Sequence, residues 1–152
     1  MAKHTASDVA DWFLMHNRTI AEEFGGDPLT NMKLQKLLYY AQGAFLGITG
    51  QPLFSDEIEA WKYGPVVPAV YQRFNKFGNR DIEPDTAVSV TQTSTNEETG
   101  ILRVVYDEFG QFTTWKLSAM TREEAPWRNA PPDGVIEHDA IREYFQTNYV
   151  VE

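Results

Sequence analysis

From Asn31 to Ile48 the chain reads NMKLQKLLYYAQGAFLGI, with apolar residues at Leu34, Leu37, Leu38, Ala41, Phe45 and Ile48. That spacing is the period of an α-helix and not the alternation of a strand. Thr30 or Asn31 is placed to cap the helix, and Gly50-Gln51-Pro52 to end it. A helix carrying so continuous a stripe must bury it, so the rest of the chain has to supply partners. Gly43 and Gly47, four apart, weaken the helix and point to close approach by another backbone.

The flanking segments supply those partners as further helices. Ser7 is read as the N-cap of a first helix reaching Phe24, with Val9, Trp12, Phe13, His16, Ile20 and Phe24 at helical spacing. Gly25-Gly26-Asp27-Pro28 stops it. Ile58 to Trp61 is a short strand or an extended lead-in, Gly64-Pro65 a turn, and Pro68 the first turn of a third helix carrying Val70, Tyr71, Phe74 and Phe77, closed by Gly78. Residues 79 to 99 read as a long polar loop, with Ala87 to Val90 as an edge strand. A fourth helix carries Ile101, Leu102, Val105, Phe109 and Phe112. A fifth is capped by Thr113 or Thr114 and broken at Pro126. A last one carries Ile141, Tyr144, Phe145 and Tyr149. The expectation is a mainly α fold: a single compact helical domain spanning residues 1 to 152, of about six helices, with at most a small β element.

Composition narrows the function. A length of 152 residues suits one domain. There is no cysteine, which excludes disulfides and thiolate metal sites and fits a cytoplasmic location. The first residues lack the apolar stretch of a secretory signal, and no apolar run approaches the ~20 residues of a membrane helix. The net charge is −9. Residues 1 to 80 balance eight acidic against eight basic side chains, whereas residues 81 to 152 hold fourteen against five. An acidic surface repels phosphate backbones and attracts basic partners.

No catalytic constellation emerges. His4, His16 and His138 share no metal-ligand spacing. There is no Gly-x-Ser-x-Gly elbow and no phosphate loop. Adjacent carboxylates, among them Glu97-Glu98 and Glu123-Glu124, read as solvated helix faces or caps. Neither a metal nor a cofactor is expected. Two dense patches remain. On the second helix Lys33, Lys36 and Tyr40 share one face, and Gln35, Tyr39 and Gln42 another. Further on, Glu59-Ala-Trp-Lys-Tyr-Gly-Pro sets Trp61, Lys62 and Tyr63 beside a rigid Gly64-Pro65 turn, and large stiff side chains of this kind anchor interfaces.

These residues carry a resemblance. Lys33-Leu-Gln-Lys-Leu-Leu-Tyr-Tyr-Ala-Gln-Gly, then Gly50-Gln-Pro-Leu-Phe, then Glu57-Ile-Glu-Ala-Trp-Lys-Tyr-Gly-Pro-Val-Val-Pro resemble the signature of the Panacea domain, the SocA-like antitoxin family of phage-associated proteins. Leu117-Ser-Ala-Met-Thr and Glu124-Ala-Pro-Trp-Arg resemble its later block, with Arg122 where the family usually has histidine. The resemblance implies an antitoxin that neutralises a cognate protein toxin by direct binding, in some members as an adaptor that delivers the toxin to a cellular protease. Its partner-binding surface is expected from Lys33, Gln35, Lys36, Tyr39, Tyr40, Trp61, Lys62, Tyr63, Gly64 and Pro65. Two other readings stand behind it. One is a DNA-binding autoregulator, with the first two helices as a helix-turn-helix. The other is a small-molecule enzyme with a pocket lined by Trp61, Tyr63, Tyr39 and Tyr40.

Overall fold

In the computed structural model residues 4–83 and 96–149 are described. Helix α1 (Ala6–Phe24) is capped two residues earlier than the sequence suggests. Thr5, not Ser7, is the N-cap: its hydroxyl accepts from the Asp8 amide at 3.1 Å, and the Asp8 carboxylate accepts from the Thr5 amide at 3.2 Å. This reciprocal pair satisfies two orphan donors where Ser7 would satisfy one. Ser7 instead accepts from Arg73 at 2.6 Å, and Arg73 also pairs with Asp11.

Helix α2 (Asn31–Thr49), capped by Thr30, is the centre of the molecule. Fourteen of its nineteen residues are buried. The apolar stripe is only part of this, since Gln35, Lys36 and Gln42 are wholly enclosed as well. A helix buried all round sits among others rather than on a surface. Helices α1, α4 (Asn96–Phe109), α5 (Thr114–Glu123) and α7 (His138–Asn148) pack around it. Against α7 the fit depends on Gly43. A Cβ there would lie 2.3 Å from the Phe145 ring, so the close approach expected of a backbone is made by a buried phenylalanine. Ile48 and Phe24 leave the expected stripes and are exposed, being in the last turns of their helices beyond the core.

The β element is real and small. Strands β1 (Ile58–Trp61) and β2 (Gly64–Val66) form an antiparallel hairpin, and β3 (Val135–Ile136) pairs with the other edge of β1, giving the order β2-β1-β3. Helix α3 (Pro68–Arg73) is shorter than expected. A 3₁₀ turn, Asn75–Phe77, follows it and turns Phe74 and Phe77 to the same buried side, because residues three apart eclipse in that geometry. Helix α4 starts at Asn96, before the expected Ile101, with Glu97 and Glu98 in its first turn where the helix dipole favours anions. The expected loop is therefore shorter at that end. Its edge strand, Ala87 to Val90, lies outside the described residues. Pro126 does not merely break α5. It occupies the first turn of a separate short helix, α6 (Ala125–Arg128). Among the described residues no helix is long and apolar enough to cross a membrane.

Candidate functional site

The Trp-Lys-Tyr-Gly-Pro hairpin is held by its backbone. The Trp61 carbonyl accepts from the Trp127 indole at 2.8 Å, and the Tyr63 carbonyl from the Ser118 hydroxyl at 2.6 Å. The Pro65 carbonyl accepts from Lys36 Nζ at 3.1 Å, and the Val67 amide donates to Gln35 Oε1 at 2.9 Å. Four alternate residues are thus fixed by side chains from α2, α5 and α6. Gln35 is held in turn by Asn31 at 2.8 Å. The turn itself needs glycine: Gly64 has φ of +117°, and a Cβ there would meet Thr121 Oγ1 at 2.6 Å.

Gln42 performs the same service for the segment before the hairpin. Its amide nitrogen donates to the Phe54 carbonyl at 2.7 Å, and its oxygen accepts from the Leu53 amide at 2.8 Å. Beneath the hairpin lies Lys36, completely enclosed, with the Pro65 carbonyl and the Met32 sulfur as its hydrogen-bond acceptors. Burial first, and the nearby Arg122 charge second, bring its pKa down to about 7 from the usual 10.5 of a lysine.

A second polar centre forms one turn further along α2. Glu124, at the junction of α5 and α6, accepts from Tyr39 at 2.9 Å, Tyr40 at 2.9 Å and Tyr149 at 2.7 Å. Three phenols donating to two oxygens suit an ionised carboxylate. Burial raises the Glu124 pKa, and the three hydrogen bonds pull it back. Burial and the same carboxylate raise the three tyrosines. The Tyr40 ring stacks on Phe109 with centroids 3.9 Å apart, an arrangement worth about 0.5–1.5 kcal/mol beyond area burial.

The ten expected partner-binding residues therefore divide. Gln35, Lys36, Tyr39 and Tyr40 are buried and present nothing to a partner in this structure. They hold the hairpin or the Glu124 centre. Gly64 and Pro65 are enclosed as well, and Lys33 is half-buried with its amine on the Gly110 carbonyl at 2.7 Å. Lys62 and Tyr63 are exposed at the hairpin tip, and Trp61 is half-buried beside them. Glu124 and Glu98, read from sequence as solvated, are both buried. Their neighbours Glu123 and Glu97 carry the solvated character of those pairs. Trp115, Ser118 and Arg122 lie along one ridge of α5; of these only Arg122 was singled out, as a departure from the family's usual histidine and not as part of the surface. Trp115 is 63% exposed and meets Tyr63 edge-to-face at 5.5 Å. The Leu-Ser-x-x-Thr motif was the available signal for Ser118, whose function appears only once the hairpin is placed.

The two other readings fare differently against this geometry. A recognition helix must be free to enter a groove, yet α2 is the most enclosed helix of the fold and Lys36 lies inside it. Tyr39 and Tyr40 turn their hydroxyls to Glu124, while Tyr63 turns its ring to Trp115, so these aromatics do not converge on one pocket. Among the described residues no group of three or more histidines and carboxylates is placed to hold a metal.

The fold is thus a helical domain that displays a side-chain-clamped hairpin. Residues 34–128 match the family described as antitoxin SocA-like, Panacea domain, and the chain belongs to that family. The match begins within α2 and ends with α6, and it encloses every side chain that clamps the hairpin. Antitoxin SocA of Caulobacter vibrioides (strain NA1000 / CB15N) is 49% identical over 63 residues, 38% of this chain and 34% of that relative. The match thus spans about a third of the relative's length. No solved structure matches the chain.

Proposed function

We propose that the chain is an antitoxin that neutralises a separately encoded protein toxin by binding it at the hairpin tip. Family membership supports the antitoxin role, and the relative from Caulobacter is itself named an antitoxin. The observation that carries the site is the clamp. Four side chains fix the hairpin backbone, so Trp61, Lys62 and Tyr63 are displayed on a stiff support and lose little entropy when covered. The net charge of −9 draws a basic toxin into the encounter.

The test is co-expression with the product of the neighbouring gene. Growth is restored and the two proteins co-purify if the reading holds. Persistent growth arrest with no complex overturns it. Toxin abundance separates two modes: it stays constant if binding blocks the toxin, and falls in a protease-dependent manner if the chain is an adaptor. Lys62→Glu is expected to weaken neutralisation while circular dichroism stays that of the parent, since Lys62 is exposed and makes no ion pair among the described residues. A collapsed spectrum would reassign its effect to stability.

A further inference from the structure

The hairpin tip is not alone on its face. Trp115, from α5, leaves most of its indole in solvent while its ring meets Tyr63. Lys62 Nζ lies 5.3 Å from the centre of the same tyrosine ring. Arg122 is seven residues from Trp115 on the ridge that contains Ser118, with Nε on the Ser118 carbonyl at 3.3 Å, and Ser118 in turn holds Tyr63. Two large aromatics and two cations are thereby tied to one support.

The cations are notable for what they lack. The chain holds 22 acidic side chains against 13 basic ones. Yet neither Lys62 nor Arg122 takes part in an ion pair among the described residues. The acidic residue of the hairpin, Glu59, is turned to the Trp61 indole, which donates to it at 2.9 Å. In a chain so rich in carboxylates, two cations that face no carboxylate among the described residues, set on the same support as exposed aromatics, form a surface whose complement lies on another molecule. Tryptophan, tyrosine and arginine are also the side chains that dominate binding energy where they cluster.

We propose that the Lys62–Tyr63–Trp115–Arg122 surface receives acidic side chains flanking an apolar one on the toxin, a carboxylate going to each cation and the apolar group to the aromatics. This rests on the antitoxin reading and adds the chemistry of the contact. The overall field of the antitoxin draws a basic partner, and this patch then fixes where that partner's acidic residues must sit. Long-range charge sets the encounter rate and the local cations set the register. Single-stranded nucleic acid also stacks on aromatics beside cations. The patch offers two cations in a chain of net −9, which disfavours a phosphate backbone.

The experiment uses the full chain and the purified product of the neighbouring gene, with affinity measured by calorimetry. Trp115→Ala is expected to weaken binding about 30-fold, the size of a hot-spot truncation. The Lys62→Glu, Arg122→Glu double variant should lose binding and regain it when the facing acidic residues of the toxin are changed to lysine. Urea midpoints of all variants report folding, and Trp115→Ala, at an exposed site, keeps the test independent of any effect that the Arg122 substitution has on the enclosed Lys36. If the wild-type chain binds and Trp115→Ala and the double variant bind equally well, the surface is wrong and the antitoxin reading stands. If the wild-type chain does not bind, both fall. Salt-sensitive binding of labelled oligothymidylate that these variants abolish would overturn the protein partner in favour of nucleic acid.

Discussion

Lys36→Met removes a buried amine and keeps its length. Lysine usually gains a partner on folding and titrates higher, but here burial depresses it, and the sign reverses. In the unfolded chain the amine holds its proton up to the usual 10.5, and in the fold only up to about 7. Between those limits the unfolded state binds more protons, so the unfolding free energy rises with pH by about 1.4 kcal/mol per unit. At neutral pH the enclosed amine costs the fold about 4 kcal/mol relative to a group that does not titrate. The methionine escapes that cost but leaves the enclosed Pro65 carbonyl unpaired, for a loss of about 1–3 kcal/mol. The variant should therefore be about 1–3 kcal/mol more stable near pH 7, the advantage should shrink as pH rises, and the parent should be the more stable above about pH 10. Urea unfolding followed by circular dichroism across this range measures the difference. Parallel curves, with a difference that does not change with pH, would show that Lys36 stays charged in the fold and would refute the reasoning.

Other perturbations test the supports of the two polar centres. Gly64→Ala places a Cβ on Thr121 Oγ1 at a φ of +117°, and should cost about 2–4 kcal/mol in urea unfolding while releasing the hairpin amides to faster hydrogen exchange. Glu124→Gln keeps the shape but leaves at least one phenol of Tyr39, Tyr40 or Tyr149 without its acceptor, for a loss of about 1–3 kcal/mol; an unchanged urea midpoint would show that the carboxylate anchors nothing. Gly43→Ala drives a methyl into the enclosed Phe145 ring and should cost about 1–3 kcal/mol, with Phe145→Leu partly restoring the midpoint.

The helices were legible because their signal is local. Leu34, Leu37, Leu38 and Ala41 keep their period whatever surrounds them, and Gly50 and Pro68 punctuate the chain where the structure does. The inside and outside of α2 were not legible in the same way. Period alone marks Lys36 and Gln35 as a wet face, because side-chain polarity normally decides which face is wet. They are buried because the hairpin backbone, some thirty residues on, offers groups for them to bond, and nothing at positions 35 and 36 announces that. Glu124 is the same case. Beside Glu123 it reads as solvated, and only the arrival of Tyr39 and Tyr40 from α2 and Tyr149 from the end of α7 makes its burial affordable. The family signature includes these residues and the structure places them inside the fold, since a signature records which residues recur without saying which side of the wall they stand on.

The division of labour within the signature follows from the accounting of hydrogen bonds. A short hairpin packed on helices must satisfy backbone groups that face inward, where no water reaches, and an unpaired one costs about 1–3 kcal/mol. Strand pairing takes care of one alternating set. The other set, at Trp61, Tyr63, Pro65 and Val67, is met by Trp127, Ser118, Lys36 and Gln35. Each is a polar side chain enclosed, wholly or in part, for that purpose. Satisfying the backbone from within leaves the side chains at the tip with no structural duty, and these are Lys62 and Tyr63. A surface whose support is fixed and whose outer residues are free can change its recognition without changing its fold. On the antitoxin reading proposed above, specificity for a particular toxin would sit in the tip and in the α5 ridge of Trp115 and Arg122, while α2 carries Gln35 and Lys36, which hold the hairpin in place.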